Sequence, residues 1–124
     1  MNDIKITDET FVVFDLETTG LYPNSGDTII EIGAVKIKDG KIIERYDELI
    51  NPGKLLSDEI IKITGINNEM LVNKRKEEEC VIDFIKWVGN LPMVAHNAKF
   101  DISFIEMAFA KYNLGKFSNI VIDT

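Results

Sequence analysis

The sequence of 124 residues suits one domain, and its 45% hydrophobic content is enough to build a core. Its 14 Lys and Arg against 21 Asp and Glu give a net charge of −7, which excludes a general electrostatic binder of nucleic acid. The one cysteine, Cys80, excludes an internal disulfide. Residues 1–10 lack an apolar signal region, and no apolar run is long enough to cross a membrane. With the single cysteine, these features predict a soluble cytoplasmic protein with no membrane partner.

Three strands are predicted before the first helix. Residues 11–15 form a short apolar run typical of a strand buried on both faces, and residues 18–26 have the composition of a loop. Residues 28–38 alternate as a long strand near the sheet centre. The Asp39-Gly40 pair predicts a tight hairpin, from which a returning strand runs over residues 41–50.

The middle of the chain favours helices. Ser57 is a typical N-cap for a short helix, and Gly65 is placed to end it. We interpret the charged residues 73–79 as a solvated loop that leads into a helix over residues 78–88. Cys80 is predicted to be a small residue inside this helix pattern and not a reactive thiol.

The last third of the chain alternates strand and helix. A short buried strand is predicted over residues 91–96, a helix over residues 99–113, and the start of another strand at Val121. The whole order is β, β, β, α, α, β, α, β. It predicts an α/β fold with a mixed sheet, in which an antiparallel hairpin is followed by βα units and helices cover both faces.

Asp15 and Glu17 stand two residues apart at the carboxyl end of the first predicted strand. Because strand side chains alternate, both carboxylates face one side while Leu16 faces the other. They repel each other unless a divalent cation lies between them, and Mg²⁺ and Mn²⁺ prefer oxygen ligands. The alternative is that both acids begin a surface loop, since a D-x-E triplet is frequent by chance.

A second polar cluster follows a short strand and opens a helix. Asp101 lies in the first helical turn, at the same sheet edge as Asp15 if the two strands are neighbours. In the alternative interpretation Asp101 only complements the helix dipole; Asn97 is expected to cap the helix in either case, and Phe100 is either core or a platform for a stacked base. His96 is interpreted as a packed strand-end residue.

Five segments, in this order, resemble the motifs of the DEDD-type 3′–5′ exonucleases: Phe-Asp-Leu-Glu-Thr-Thr-Gly at 14–20, Ile-Ile-Glu-Ile-Gly-Ala-Val at 29–35, Ile-Asn-Pro-Gly at 50–53, Ile-Thr-Gly-Ile at 63–66 and Val-Ala-His-Asn-Ala-Lys-Phe-Asp at 94–101. The strongest resemblance is to the proofreading domain of bacterial replicative DNA polymerases such as DNA polymerase III, including separate epsilon-type subunits. Five segments in register are more specific than either acidic motif alone.

The resemblance implies a ribonuclease-H-like fold and hydrolysis with two bound ions, Mg²⁺ or Mn²⁺. It assigns catalysis and metal binding to Asp15, Glu17 and Asp101. It also implies that four residues border the terminal nucleotide, namely Thr18, Thr64, Asn97 and Phe100. The implied substrate is a single-stranded 3′ end, with DNA preferred and short RNA as the alternative. The implied protein partner is a polymerase catalytic subunit or domain.

The family's third motif, a final Asp preceded by a His or a Tyr, does not occur up to Thr124. We therefore expect residues 1–124 to be one incomplete exonuclease domain that lacks its C-terminal helices and has impaired activity. Two other classes of protein stay open. One is a nuclease-fold interaction module without catalysis, and the other is an acidic sheet domain whose carboxylates bind a structural metal.

Overall fold

The computed structural model describes residues 9–124, which form one five-stranded sheet with helices. Its strands are β1 (Phe11–Thr18), β2 (Ile29–Lys38), β3 (Lys41–Leu49), β4 (Met93–Ala95) and β5 (Val121–Asp123). Its helices are α1 (Asp58–Thr64), α2 (Asn68–Leu71), α3 (Glu77–Val88) and α4 (Ala98–Lys111), and a short 3-10 helix covers Pro23–Ser25. Over the described residues, no helix combines the length and the apolar character that crossing a membrane requires.

The strands lie in the order β3-β2-β1-β4-β5, so β1 is central and β2 is next to it. β1 and β3 both pair antiparallel with β2, whereas β4 pairs parallel with β1 and with β5. The predicted mixed sheet, with a hairpin followed by βα units, is confirmed. The hairpin turns at Asp39 and Gly40, which have φ values of 53° and 77°, a conformation that Asp tolerates and Gly adopts freely.

Alternation along β1 decides which side chains enter the main core. The even-numbered residues Val12, Phe14 and Leu16 are at most 4% exposed, and they pack in one cluster with side chains of α3 and α4. The ring of Phe84 in α3 lies 6.4 Å from that of Phe14, centroid to centroid. The odd-numbered residues of β1 are half-buried or exposed, which leaves Asp15 accessible on the opposite face.

A smaller cluster holds α1 and α2 against β2, and its buried members are Ile30, Leu56, Ile66 and Leu71. The predicted caps of α1 are confirmed. Ser57 accepts a hydrogen bond from the Ile60 N–H at 3.2 Å, and Gly65 ends the helix with a φ of 76°. Helix α2 was not predicted, because four residues are too few to show a helical period.

Several element bounds differ from the sequence prediction, most clearly those of β1 and β4. Strand β1 continues beyond residue 15 because its antiparallel pairing with β2 extends through Thr18. Strand β4 covers only Met93–Ala95, the residues that pair in parallel with β5. Cys80 is fully buried in α3, as predicted for a small residue inside a helix, and burial raises the pKa of its thiol to about 12.

The prediction of a solvated loop over residues 73–79 is wrong at its end. Glu77 begins α3 and is only 6% exposed. Its carboxylate accepts hydrogen bonds from the Ile29 N–H at 2.9 Å and the Tyr112 hydroxyl at 2.8 Å, and it forms an ion pair with Lys111 at 3.1 Å. One side chain therefore joins the start of β2, the start of α3 and the end of α4.

Replacing this carboxylate is expected to be costly. Glu77→Ala leaves the Ile29 N–H and the Tyr112 hydroxyl without their acceptor, so we expect a loss of about 2–4 kcal/mol in the free energy of unfolding. Urea denaturation measures it. Glu78→Ala, the same change at the next and exposed position, is the control and is expected to cost less than about 0.5 kcal/mol. Equal losses in the two variants would contradict the role of Glu77.

Candidate active site

The second half of β1 presents two carboxylates on one face. Phe14 and Leu16 point into the core, so Asp15 and Glu17 lie together on the other face, Asp15 exposed and Glu17 partly buried. Burial and then the charge of Asp15 raise the pKa of Glu17. The shared face of this pair follows directly from the strand alternation predicted from sequence.

Asp101, in the first turn of α4, joins this pair. It is only 4% exposed, and its Oδ2 atom is buried without a hydrogen-bond partner among residues 9–124. Burial, followed by the charges of Asp15 and Glu17, raises the pKa of Asp101 from 3.8 to about 7. A buried and unpartnered carboxylate is costly, and such groups concentrate at functional sites. The structure thus brings the three predicted acids into one neighbourhood.

In the described structure the three carboxylates are not close enough together to surround a metal ion. Among the described residues, no group of three or more His, Cys, Asp or Glu side chains is arranged so that it could hold a metal ion. Uncompensated carboxylates repel one another, so they are expected to stand apart when no cation lies between them. What the fold fixes is their common location and the burial of Asp101.

Two further acids border the site. Glu31 of β2 pairs in register with Glu17, and its carboxyl group is hydrogen-bonded to that of Asp47 in β3. Burial, then the hydrogen bond and charge of Asp47, raise the pKa of Glu31 to about 7. A cavity of about 380 Å³ is lined by these acids, by Asp15 and by Arg45. Sequence reasoning missed Glu31 and Asp47, although the alternation of apolar residues along β2 already placed Glu31 on this face.

A second cavity, of about 440 Å³, shares Glu17 with the first. It is lined by Thr18, Thr64 and Phe100, three of the four residues predicted to border the terminal nucleotide. Glu17 lines both cavities, so the acidic site and this second cavity are adjacent. We name the second cavity the Phe100 cavity.

The polar groups of the Phe100 cavity are largely engaged within the protein. The Thr18 hydroxyl donates to the Gly20 carbonyl at 2.7 Å, and the Thr64 hydroxyl donates to the Ile60 carbonyl at 2.8 Å. Phe100 packs against Phe104, with ring centroids 5.1 Å apart, and also lines the cavity. Phe100 therefore packs against the core and also lines the cavity, and its role as a platform for a stacked base stays a prediction.

Two predictions at the start of α4 are wrong. Asn97 occupies the N-cap position but in a left-handed conformation with φ 56°, and its side chain makes no capping hydrogen bond within the described structure. The Ala98 N–H instead donates to Asp123 Oδ1 at 3.2 Å, from the end of β5. Asn97 also lies apart from the described lining of the Phe100 cavity. His96, predicted to be packed, is exposed.

Comparison with known proteins supports the same interpretation. Residues 12–124 match the family model of RNase T type, described as exonuclease. The chain belongs to this exonuclease family. It is 45% identical over 122 residues to the DNA polymerase III of PolC type from Staphylococcus aureus. The match covers 98% of the chain and 8% of that polymerase, so the chain spans a small part of its relative.

Solved exonuclease structures share the fold. E. coli exonuclease I in complex with a dA16 oligonucleotide has a TM-score of 0.80 at 20% identity, over 94% of this chain and 28% of that one. Exonuclease X in complex with 5′ overhanging duplex DNA has a TM-score of 0.65 at 28% identity, over 91% of this chain and 58% of that one. The predicted ribonuclease-H-like fold is thereby confirmed.

Proposed function

We propose that this exonuclease-family domain removes nucleotides from the 3′ ends of single-stranded DNA, as the proofreading part of a DNA polymerase. One observation carries the proposal. Asp101 buries a carboxylate oxygen that has no hydrogen-bond partner among residues 9–124, beside Asp15 and Glu17, which both line a cavity. An arrangement that costs stability in this way is expected where a cation and a substrate supply the missing contacts.

Asp15, Glu17 and Asp101 would hold the metal. Their donor set consists of carboxylate oxygens, which Mg²⁺ and Mn²⁺ prefer over the softer ligands that select zinc or copper. The unpartnered Oδ2 of Asp101 fits this role, because a cation would offset both its burial and the repulsion from its two neighbours. When bound, such ions lower the pKa of a water molecule and stabilise the negative charge that develops on phosphate oxygens.

The chain's own residues would receive the terminal nucleotide in the Phe100 cavity. Phe100 offers an aromatic face, and Leu21 and Ile63 add apolar side chains that are 65% and 70% exposed. Stacking of a base on an aromatic side chain is worth about 1–3 kcal/mol. Because Glu17 lines both cavities, a nucleotide in the Phe100 cavity would have its phosphate next to the acids.

The choice of DNA is supported by the relatives. The S. aureus relative is a DNA polymerase, and the exonuclease I and exonuclease X structures contain DNA. The net charge of −7 argues against affinity for long nucleic acid through a basic surface. We therefore propose that the domain binds a short single-stranded end and that a polymerase catalytic subunit or domain delivers the rest of the DNA.

Nucleotide release from labelled DNA tests the proposal. With the full natural chain and Mn²⁺ or Mg²⁺, a 5′-labelled single-stranded oligonucleotide is expected to shorten in one-nucleotide steps from its 3′ end. EDTA should stop the reaction. Asp15→Asn should abolish it as well, whereas Asp39→Asn, the same change on the exposed hairpin turn, should leave it intact. Release of the 5′ label first, or no release with either metal, would rule out the proposed function.

A further inference from the structure

The two ends of the loop between β1 and β2 are joined by backbone hydrogen bonds, such as that from the Thr19 N–H to the Thr28 carbonyl at 2.9 Å, and by the carboxylate of Asp27. Its Oδ1 accepts a hydrogen bond from the Thr19 hydroxyl at 3.1 Å, and its Oδ2 accepts one from the Tyr22 N–H at 3.0 Å. The Thr19 hydroxyl oxygen in turn accepts from the Thr28 N–H at 3.0 Å. These three bonds form a clasp that ties the beginning of the loop to its end.

Gly20 shows how closely the clasp is packed. A Cβ atom on Gly20 would lie 2.4 Å from Asp27 Oδ2 and 2.6 Å from Asp27 Cγ, far inside ordinary contact distance. The carboxylate is itself held in place by two hydrogen bonds. The backbone at position 20 can therefore approach Asp27 only without a side chain. The loop is fixed from both sides, by hydrogen bonds and by packing.

The clasped loop forms part of the Phe100 cavity. Thr19, Gly20 and Leu21 all line it, within the described residues, whereas Asp27 does not. Leu21 is 65% exposed, so nothing in the main core holds its side chain in place. The position of this apolar wall therefore depends on the backbone of the loop, which the Asp27 carboxylate holds together with the backbone hydrogen bonds of the loop.

We propose that Asp27 is a positioning residue that fixes Leu21 as a rigid wall against the base of the terminal nucleotide. This inference rests on the proposed function of the Phe100 cavity as a nucleotide site. A wall that is already ordered before binding adds affinity, because the loop does not lose conformational freedom when the nucleotide arrives. Asp27 would act on nucleotide binding and leave the chemistry at Asp15, Glu17 and Asp101 unchanged.

Nucleotide binding by loop variants tests the proposal directly. The probe is thymidine 5′-monophosphate with Mg²⁺, titrated into the full natural chain and followed by NMR. Asp27→Ala is expected to weaken binding about fivefold to tenfold. The released loop would then lose conformational freedom when the nucleotide binds, at a cost of roughly 1 kcal/mol. Asp27→Asn should bind nearly as wild type, because its amide oxygen accepts from the Tyr22 N–H and its amide group donates to the Thr19 hydroxyl. Asn24→Ala, an exposed change in the same loop, is the control.

Kinetics separate positioning from general destabilisation. On single-stranded DNA, Asp27→Ala should raise KM by about the same factor while kcat stays within roughly twofold of wild type. Thr19→Val removes the hydroxyl that links Asp27 to Thr28 and keeps the β-branched shape, so it provides a second test if Asp27→Ala folds poorly. Thr19→Val, like Asp27→Ala, is expected to weaken nucleotide binding.

The outcomes are distinct. Nucleotide binding unchanged in both Asp27→Ala and Thr19→Val overturns the proposal, as does a wild type that binds no nucleotide. If the wild type binds nucleotide but releases none from DNA, the proposed exonuclease function fails while the titration still decides the role of Asp27. Weaker binding in Asp27→Ala and Thr19→Val, with recovery in Asp27→Asn, supports it.

Discussion

Asp101→Asn is expected to lower the rate of nucleotide release by at least about two orders of magnitude, because stabilisation by metal charge is worth several kcal/mol. The substitution keeps the shape of the side chain and removes its charge. The fold should survive, since Asp101 lies in the first turn of α4 and its Oδ2 bonds to no other described group. Single-turnover kinetics on a 5′-labelled oligonucleotide measure the effect. Near-normal turnover would show that Asp101 is not needed for catalysis and only complements the dipole of α4.

The same substitution should stabilise the metal-free protein at alkaline pH. Burial and two neighbouring acids raise the pKa of Asp101 to about 7, far above that of an unfolded chain. A raised pKa in the folded state means that stability is fully present below the unfolded value, near 4, and is lost as the pH rises through 7. Above pH 7 the buried charge costs about 1–3 kcal/mol, which the neutral amide avoids.

Urea denaturation in EDTA at pH 5.5 and pH 8 checks this sign. Asp101→Asn should exceed the wild type in stability at pH 8 and match it more closely at pH 5.5, where Asp101 is itself neutral. Asp39→Asn, on the exposed hairpin turn, supplies the comparison for removal of one negative charge. A variant less stable than wild type at pH 8 would show that the Asp101 carboxylate has a favourable partner. Loss of activity with a gain in stability would identify Asp101 as a residue kept for function.

Local patterns in the sequence predicted most of the strands and helices that position the site. The alternation along β1 placed Asp15 and Glu17 on one face, and Ser57 and Gly65 marked the ends of α1. Each of these features depends on residues a few positions apart, so a single sequence carries the information. The pairing of β1 with β4, which brings Asp101 to the same edge, required the further assumption that the two strands are neighbours.

Two of the failures share a physical cause, which is contact between residues far apart in sequence. The sequence places Glu77 in a charged stretch predicted to be a solvated loop. In the folded protein its carboxylate instead accepts hydrogen bonds from Ile29 and Tyr112. The start of α4 was expected to be capped by Asn97, but the capping oxygen comes from Asp123. In each case the topology of the sheet brings a polar side chain close to a partner that is distant in sequence. Composition and local spacing therefore do not predict the contact.

Manganese should stabilise this protein against unfolding, and the effect should disappear in the double variant Asp15→Asn with Glu17→Gln. A ligand that binds only the folded state adds about 2.7 kcal/mol when its concentration is a hundred times its Kd. The control is the double variant Glu31→Gln with Asp47→Asn, which removes two acids from the same cavity lining. It should keep most of the stabilisation, because these two carboxyl groups hydrogen-bond to each other.

Thermal unfolding with and without Mn²⁺, together with isothermal titration, measures both double variants. The comparison is sharp because each variant replaces two acidic side chains that line the same cavity, so a general effect of the acidic surroundings on Mn²⁺ binding would appear in both. Loss confined to the Asp15 and Glu17 variant would place the ion beside Asp101, whose pKa is raised by the charges of those two acids. Equal Mn²⁺ affinity in the wild type and in that variant would remove the metal site from β1, and with it the role proposed for Asp101.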